Sequence, residues 1–288
     1  MRNLIINADD YGLTPGISQG IRYAFSCGVL SSTTAMMNLP GTALEVEIAR
    51  RDIPSLPIGV HLCLTVGAPI SPPEEIPSLV DTEGWFYSRS GLLERLDTVS
   101  PEETAREFRA QIEALLALDT PPDHIDSHHF ISYLTPGIME QTLRLAEEYR
   151  LPVRPPTGCD GAMADLFPGL PESATNFLAR EASAMLRHSP VRTADRLYLT
   201  LYDKTATLKN LLWILDDLPE GFSEIMCHPG LVDPTLREIS DYAEERGYEL
   251  SLLTESGLPG LLAAREIQLG TYAQLAPLSP SEPVRHNP

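Results

Sequence analysis

The chain has 288 residues, is 43% hydrophobic and carries a formal net charge of −19. That length and apolar content supply a sizeable core, as one large domain or two small ones. The acidic balance argues against a nucleic-acid partner, which needs a concentrated positive surface, and no apolar run approaches the roughly 20 residues of a membrane span. The N-terminus shows no charged-then-apolar leader, so a cytoplasmic location is expected. Cys27, Cys63, Cys159 and Cys227 are far apart and form no C-x-x-C pair. They read as reduced, mostly buried thiols, not as a disulfide framework or zinc knuckle.

Leu4-Ile5-Ile6 begins a buried strand that runs into Asp9-Asp10 and a Tyr11-Gly12 turn. Thr14 is a good helix N-cap and Pro15 suits the first helical position, so a helix is predicted to about Cys27, ended by Gly28. Residues 29–37 read as a second strand, 42–51 as a helix, and Ile58 to Leu64 as a third buried strand. This β-α-β-α-β rhythm argues for a parallel sheet with helices outside. Residues 65–100 break it with Pro69, Pro72, Pro73, Pro77, Gly84 and Gly91. A long loop in a compact domain is commonly a lid or a wall of a site. Its Trp85, Phe86 and Tyr87 suit either stacking on a sugar ring or anchoring the loop.

Ser100-Pro101-Glu102-Glu103 is a helix start, and that helix is predicted to Leu118. His124 to Phe130 is a short strand and its end, 136–150 a helix, and 151–154 a short strand. Further helices are predicted over 172–187, 205–217 and 234–246, with strands over 196–202 and 222–230. A last strand is predicted over 249–253, with a short helix after Ser256. The whole reads as an α/β protein, a single-domain distorted (β/α) barrel of the TIM-barrel kind with about seven or eight strands. The barrel domain is placed at 1–265 and a C-terminal extension at 266–288, Pro-rich and disordered from about 277.

In such folds the carboxyl ends of the strands form the site. Collected there are Asp9 and Asp10, His61, Asp126 and His128, and His228. Each alone has an ordinary structural reading: an acidic turn, a hydrogen-bonded core histidine, a turn residue. Together they come from strands distant in sequence whose ends share one mouth. Two like charges side by side call for a nearby cation. One carboxylate and two imidazoles make an open-sided metal site of the kind used for hydrolysis.

Asn7-Ala8-Asp9-Asp10-Tyr11-Gly12, Gly59-Val60-His61-Leu62, His124-Ile125-Asp126-Ser127-His128-His129 and Cys227-His228-Pro229-Gly230 resemble the YdjC-like carbohydrate deacetylases, nearly from end to end of the chain. The resemblance implies a distorted (β/α) barrel, a divalent metal, usually magnesium, a homodimer, and removal of an acetyl group from an N-acetylated sugar. Position by position it implies Asp10, His61 and His128 as metal ligands, with His129 as an alternative, Asp9 as general base and His228 as general acid. Arg154 is then a candidate for holding the substrate. Asp126 is a candidate either for orienting a ligand from behind or for the substrate itself. The donor set suits zinc, manganese or cobalt at least as well as magnesium.

Three rival readings are weighed. Gly16-Ile17-Ser18-Gln19-Gly20 matches the G-x-S-x-G pattern, but a nucleophile elbow needs its serine at the turn after a strand, and Ser18 is predicted inside a helix. A carbohydrate-binding or regulatory protein could keep the barrel without catalysis. The same site could also cleave another acyl amide or an ester.

Overall fold

The computed structural model describes residues 1–156, 158, 169–255 and 257–275. Cys159 and the disordered tail predicted from about 277 lie outside the described residues. The centre of the molecule is β1 (Arg2–Tyr11), buried from Leu4 through Tyr11. Its Leu-Ile-Ile run is apolar on both faces because a parallel sheet is covered on both faces.

Seven parallel strands form the sheet among the described residues. In spatial order they are β4 (Ile125–Ser127), β3 (Ile58–Leu62), β2 (Ser32–Ala35), β1, β6 (Gly221–Cys227) and β5 (Arg196–Tyr198). The seventh, β7 (Ile267–Leu269), pairs with Arg2 to Leu4 of β1, while β2 pairs with its other end from Asn7 to Tyr11. The segment beyond residue 265, expected as an extension of the barrel, thus adds a strand to it. The sheet curls into a half-barrel. Its open seam is spanned by Val153, which bridges to Ile125 of β4 and donates its N–H to the Arg192 carbonyl at 2.9 Å. The strand expected at 151–154 is therefore a single bridging residue.

The helices start where their capping chemistry says they should. In α1 (Pro15–Cys27) the Thr14 hydroxyl accepts from the Ile17 N–H. After α2 (Thr42–Asp52), the same device opens α3 (Pro101–Leu116), capped by Ser100, and α4 (Pro136–Tyr149), capped by Thr135. Each cap satisfies a backbone donor that the first helical turn leaves unpaired. Thr207 likewise caps α5 (Leu208–Asp217). No helix among the described residues is long and apolar enough to cross a membrane.

Other predicted elements change type or length. The helix expected over 234–246 stops at Ile239, because Ser240 is extended. The strand expected over 249–253 is the second half of a helix, α6 (Glu244–Leu253). A short apolar run such as Leu250-Ser251-Leu252-Leu253 fits a buried strand and a helix equally well by pattern, and the tertiary setting decides.

The long loop is tied down by α3. The buried Glu107 carboxylate accepts the Ile70 and Ser71 N–H groups at 3.0 and 2.8 Å. Phe86 is buried and bridges to Val80, whereas Trp85 is 52% exposed. Phe86 is the loop's anchor.

Candidate active site

Neighbouring residues of a flat strand point to opposite faces. Asp9 and Asp10 do not, because the end of β1 is bulged. The pairing with β2 shifts register between Ala8 and Tyr11, and Asp10 has φ 68°. A left-handed φ on a non-glycine residue is strained, and such strain gathers at functional sites. Here it turns both carboxylates into one cavity of about 250 Å³. Asp10, His61, His128 and His228 line that cavity with Asp9.

His61 comes from β3 and is 1% exposed. Its Nδ1 lies 2.6 Å from Asp126 Oδ1, and its Nε2 faces Asp10 Oδ1 at 3.2 Å. Asp126 is itself fully buried and is also bound by the Thr34 hydroxyl at 3.0 Å. It lies behind His61 and does not line the cavity. His128 follows β4, with Nδ1 2.9 Å from Asp10 Oδ1. His129 and Phe130 are both left-handed, with φ 55° and 56°. This reversal aims His128 inward and leaves His129 beside it, bonded through Nδ1 to the Thr65 hydroxyl at 3.0 Å. Asp10 is therefore the meeting point of two imidazoles. Burial alone would raise its carboxyl, but the His128 and Arg246 charges outweigh it and hold the group well below the usual carboxylate range.

Arg154 does not reach the cavity, contrary to its predicted contact with substrate. It is 1% exposed and lies beneath Asp9. Its two terminal nitrogens donate to the two Asp9 oxygens at 2.7 and 2.6 Å. Its Nε donates to Glu224 at 2.6 Å, and Asp126 Oδ2 lies 2.9 Å from Nη2. A planar guanidinium suits this forked pairing as a lysine would not. Asn7 adds a further bond to Asp9 at 2.9 Å.

His228 follows β6, with its Nε2 3.9 Å from Asp9 Oδ2. Its ring packs edge-on to Tyr202 and Tyr242, which stack on each other at 4.4 Å. Its backbone N–H donates to Glu249 of α6, which also accepts from the Tyr242 hydroxyl. Burial pushes the His228 imidazole down to about 4, against the opposing pull of Asp9 and Asp10. Burial likewise pushes Glu249 up to about 7. From the same helix, Arg246 donates through Nη2 to Asp10 Oδ2 at 2.6 Å. Arg246, Glu249, Tyr202 and Tyr242 were not singled out from the sequence. The available signal was the three-residue spacing of Arg246 and Glu249, which puts both on one helical face, and the strand assigned to 249–253 hid it.

The donor set fits a cation. With Nδ1 of His61 donating to Asp126, a neutral His61 would present an acceptor nitrogen to another acceptor, Asp10 Oδ1. Only a positive charge between or on them resolves that contact. Without a metal a proton does so: burial would lower the His61 pKa, but Asp126 and Asp10 raise it to about 10. One ligand atom from each of Asp10, His61 and His128 lies within 4.8 Å of the others. Asp9, His61 and Asp126 meet the same distance test, but Arg154 already engages both carboxylates of that group. Ser18, by contrast, is buried within α1, accepts from the Gly12 N–H and donates to the Thr14 carbonyl. It has neither the turn nor the exposure of a nucleophile.

The profile of the YdjC-like protein family matches residues 3–264. The chain belongs to the YdjC-like family. Family relatives include a carbohydrate deacetylase of Enterococcus faecalis, 36% identical over 280 residues that span 96% of this chain and 98% of the relative. A carbohydrate deacetylase of Brevibacillus brevis is 36% identical over 273 residues, 94% of this chain and 99% of the relative. A solved structure from Enterococcus faecalis V583, described as a candidate cellobiose-phosphate cleavage protein, aligns with a TM-score of 0.82 at 35% identity, over 96% of this chain and 99% of that one. The half-barrel with its helices is therefore shared with that solved relative.

Proposed function

We propose that this chain is a metal-dependent carbohydrate deacetylase that removes an acetyl group from an N-acetylated sugar or small oligosaccharide. The observation that carries the reading is the convergence of Asp10, His61 and His128 on the cavity that also holds Asp9 and His228. The names of the relatives supply the substrate class. Asp10, His61 and His128 would hold a divalent cation, magnesium by family resemblance or zinc, manganese or cobalt by donor chemistry. When bound, such a cation polarises the acetyl carbonyl and makes water more acidic. Asp9, fixed by Arg154, stands beside the reacting position as general base. His228, 3.9 Å from Asp9, protonates the departing amine, which is worth about 100- to 10,000-fold. Tyr202 and Tyr242 give the sugar an aromatic wall, one of the two parts that the sequence left open to Trp85, Phe86 and Tyr87.

A second proton path is favoured by two observations. Both Asp9 oxygens are occupied by Arg154, and His228 is held neutral at pH 7. A neutral His228 takes the proton from water itself and then hands it to the amine, with Asp9 steering the water. The reaction and its metal are tested together by acetate release from N,N′-diacetylchitobiose and its phosphorylated form, with metal-stripped protein given magnesium, zinc, manganese or cobalt in turn. Metal-dependent acetate is expected. No acetate with any metal, from protein that binds the metal, would move the substrate to another acylated compound. Tight sugar binding without turnover would favour a carbohydrate-binding role. A homodimer in the cytoplasm remains part of the proposal, checked by light scattering and cell fractionation.

A further inference from the structure

Each of the adjacent aspartates is paired with a buried arginine, but in different ways. Arg154 binds both oxygens of Asp9. Arg246 binds one oxygen of Asp10, Oδ2, and leaves Oδ1 facing His61 and His128 at 3.2 and 2.9 Å. Arg246 is 4% exposed, and its position is fixed at the root. Its Nε donates to the Tyr242 carbonyl at 3.1 Å, and its own carbonyl accepts the Gly230 N–H at 3.1 Å. A helix that is braced against the His228-Pro229-Gly230 turn thus delivers a fixed cation to one side of Asp10.

We infer that Arg246 is a positioning residue that makes Asp10 a one-oxygen ligand, by holding Oδ2 away from the cation site. This rests on the proposed metal site at Asp10, His61 and His128. A free carboxylate can chelate a cation through both oxygens, which fills a position that a hydrolytic site must leave open. Arg246 removes that choice, because its hydrogen bond to Oδ2 is charge-assisted and buried. It also offsets part of the Asp10 charge without contacting the two imidazoles. Arg246 also lines the cavity and lies 5.5 Å from the Tyr242 ring centroid, so the readout that isolates its part at Asp10 is the metal's spectrum.

The test compares wild type with Arg246→Met, loaded with Co2+, whose visible absorption weakens as its coordination number rises. The Met variant is expected to show a weakened and shifted Co2+ spectrum. Its kcat at saturating metal should fall about 10- to 100-fold. Arg246→Gln, which removes the charge but keeps a polar side chain, is expected to show the same spectral change and serves if the Met variant misfolds. An unchanged spectrum and kcat in a folded variant would overturn the inference while leaving the metal site standing. If wild type bound no Co2+, or bound it equally well in His61→Ala, the metal site itself would fall, and the inference with it.

Discussion

The ionic floor beneath the cavity and the wall above it use similar residues to opposite ends. In the floor, Asp9, Asp126 and Glu224 surround Arg154, all 2% exposed or less. The Arg154 guanidinium bridges all three carboxylates through fixed N–H donors, and its charge holds Asp126 below the usual carboxylate range against its burial. The wall is only half paired: Asp10 Oδ2 takes a bond from Arg246, while Asp10 Oδ1 faces two imidazole nitrogens, and one of those rings has already committed its other nitrogen to Asp126. Fixed donors set geometry, whereas an oxygen left facing imidazole nitrogens suits a cation. The lesson is that buried charge alone does not point to a metal site; an oxygen whose neighbours are themselves possible ligands does.

The comparison is broken most severely by removing a wall ligand. His61→Ala should lose its metal and, with it, activity by at least about 1,000-fold, while the protein still folds. Full metal content in that variant, read by elemental analysis, would remove His61 from the ligand set. Asp9→Asn should lower kcat about 100- to 10,000-fold with metal retained. Loss of metal instead would exchange the parts given to Asp9 and Asp10.

Arg154→Met attacks the floor and leaves buried carboxylates without their partner. Breaking such a pair costs about 3–5 kcal/mol, so urea unfolding of the metal-free protein should show a loss of that size. A change under about 1 kcal/mol would mean that the floor is not held by this guanidinium. The pH dependence of kcat/KM then separates the two proton paths. If neutral His228 is the working form, activity is flat through neutrality and falls only as pH drops through about 4. If the protonated form works, the profile falls as pH rises above that value, because the imidazolium is lost there. The smallest effect is expected at Ser18→Ala, outside both regions. It should keep full activity and lose about 1–2 kcal/mol of stability for its buried hydrogen bonds.

Much of this was legible in the sequence because it depends on local rules. Thr14-Pro15, Ser100-Pro101 and Thr135-Pro136 cap helices with their own side chains, and the apolar runs at Leu4 and Ile58, set in a β-α-β rhythm, read as buried strands of a parallel sheet. The order of those elements places Asp9, Asp10, His61, His128 and His228 at one end of it. Asp126 could be placed at the same strand end, since it lies two residues before His128, but its position behind His61 is set by the structure. Arg154 was misplaced because the direction of a long side chain beside a one-residue bridge is set by partners from β1, β4 and β6. Arg246 and Glu249 were missed because Glu249 to Leu253 has no periodicity that separates strand from helix.

What the sequence determined by itself was the alternation of strands and helices and the short list of residues able to do metal-assisted hydrolysis, because hydrophobic period, capping and residue chemistry are local. What only the tertiary structure decided was how those charges are matched. The bulge at Asp10, the fork of Arg154 on Asp9 and the single bond of Arg246 to Asp10 decide it, and the two arginine pairings join residues 145 and 236 positions apart. Charge compensation depends on distances of a few ångströms in a dry interior, where an unmatched group is costly, and no separation along the chain encodes them.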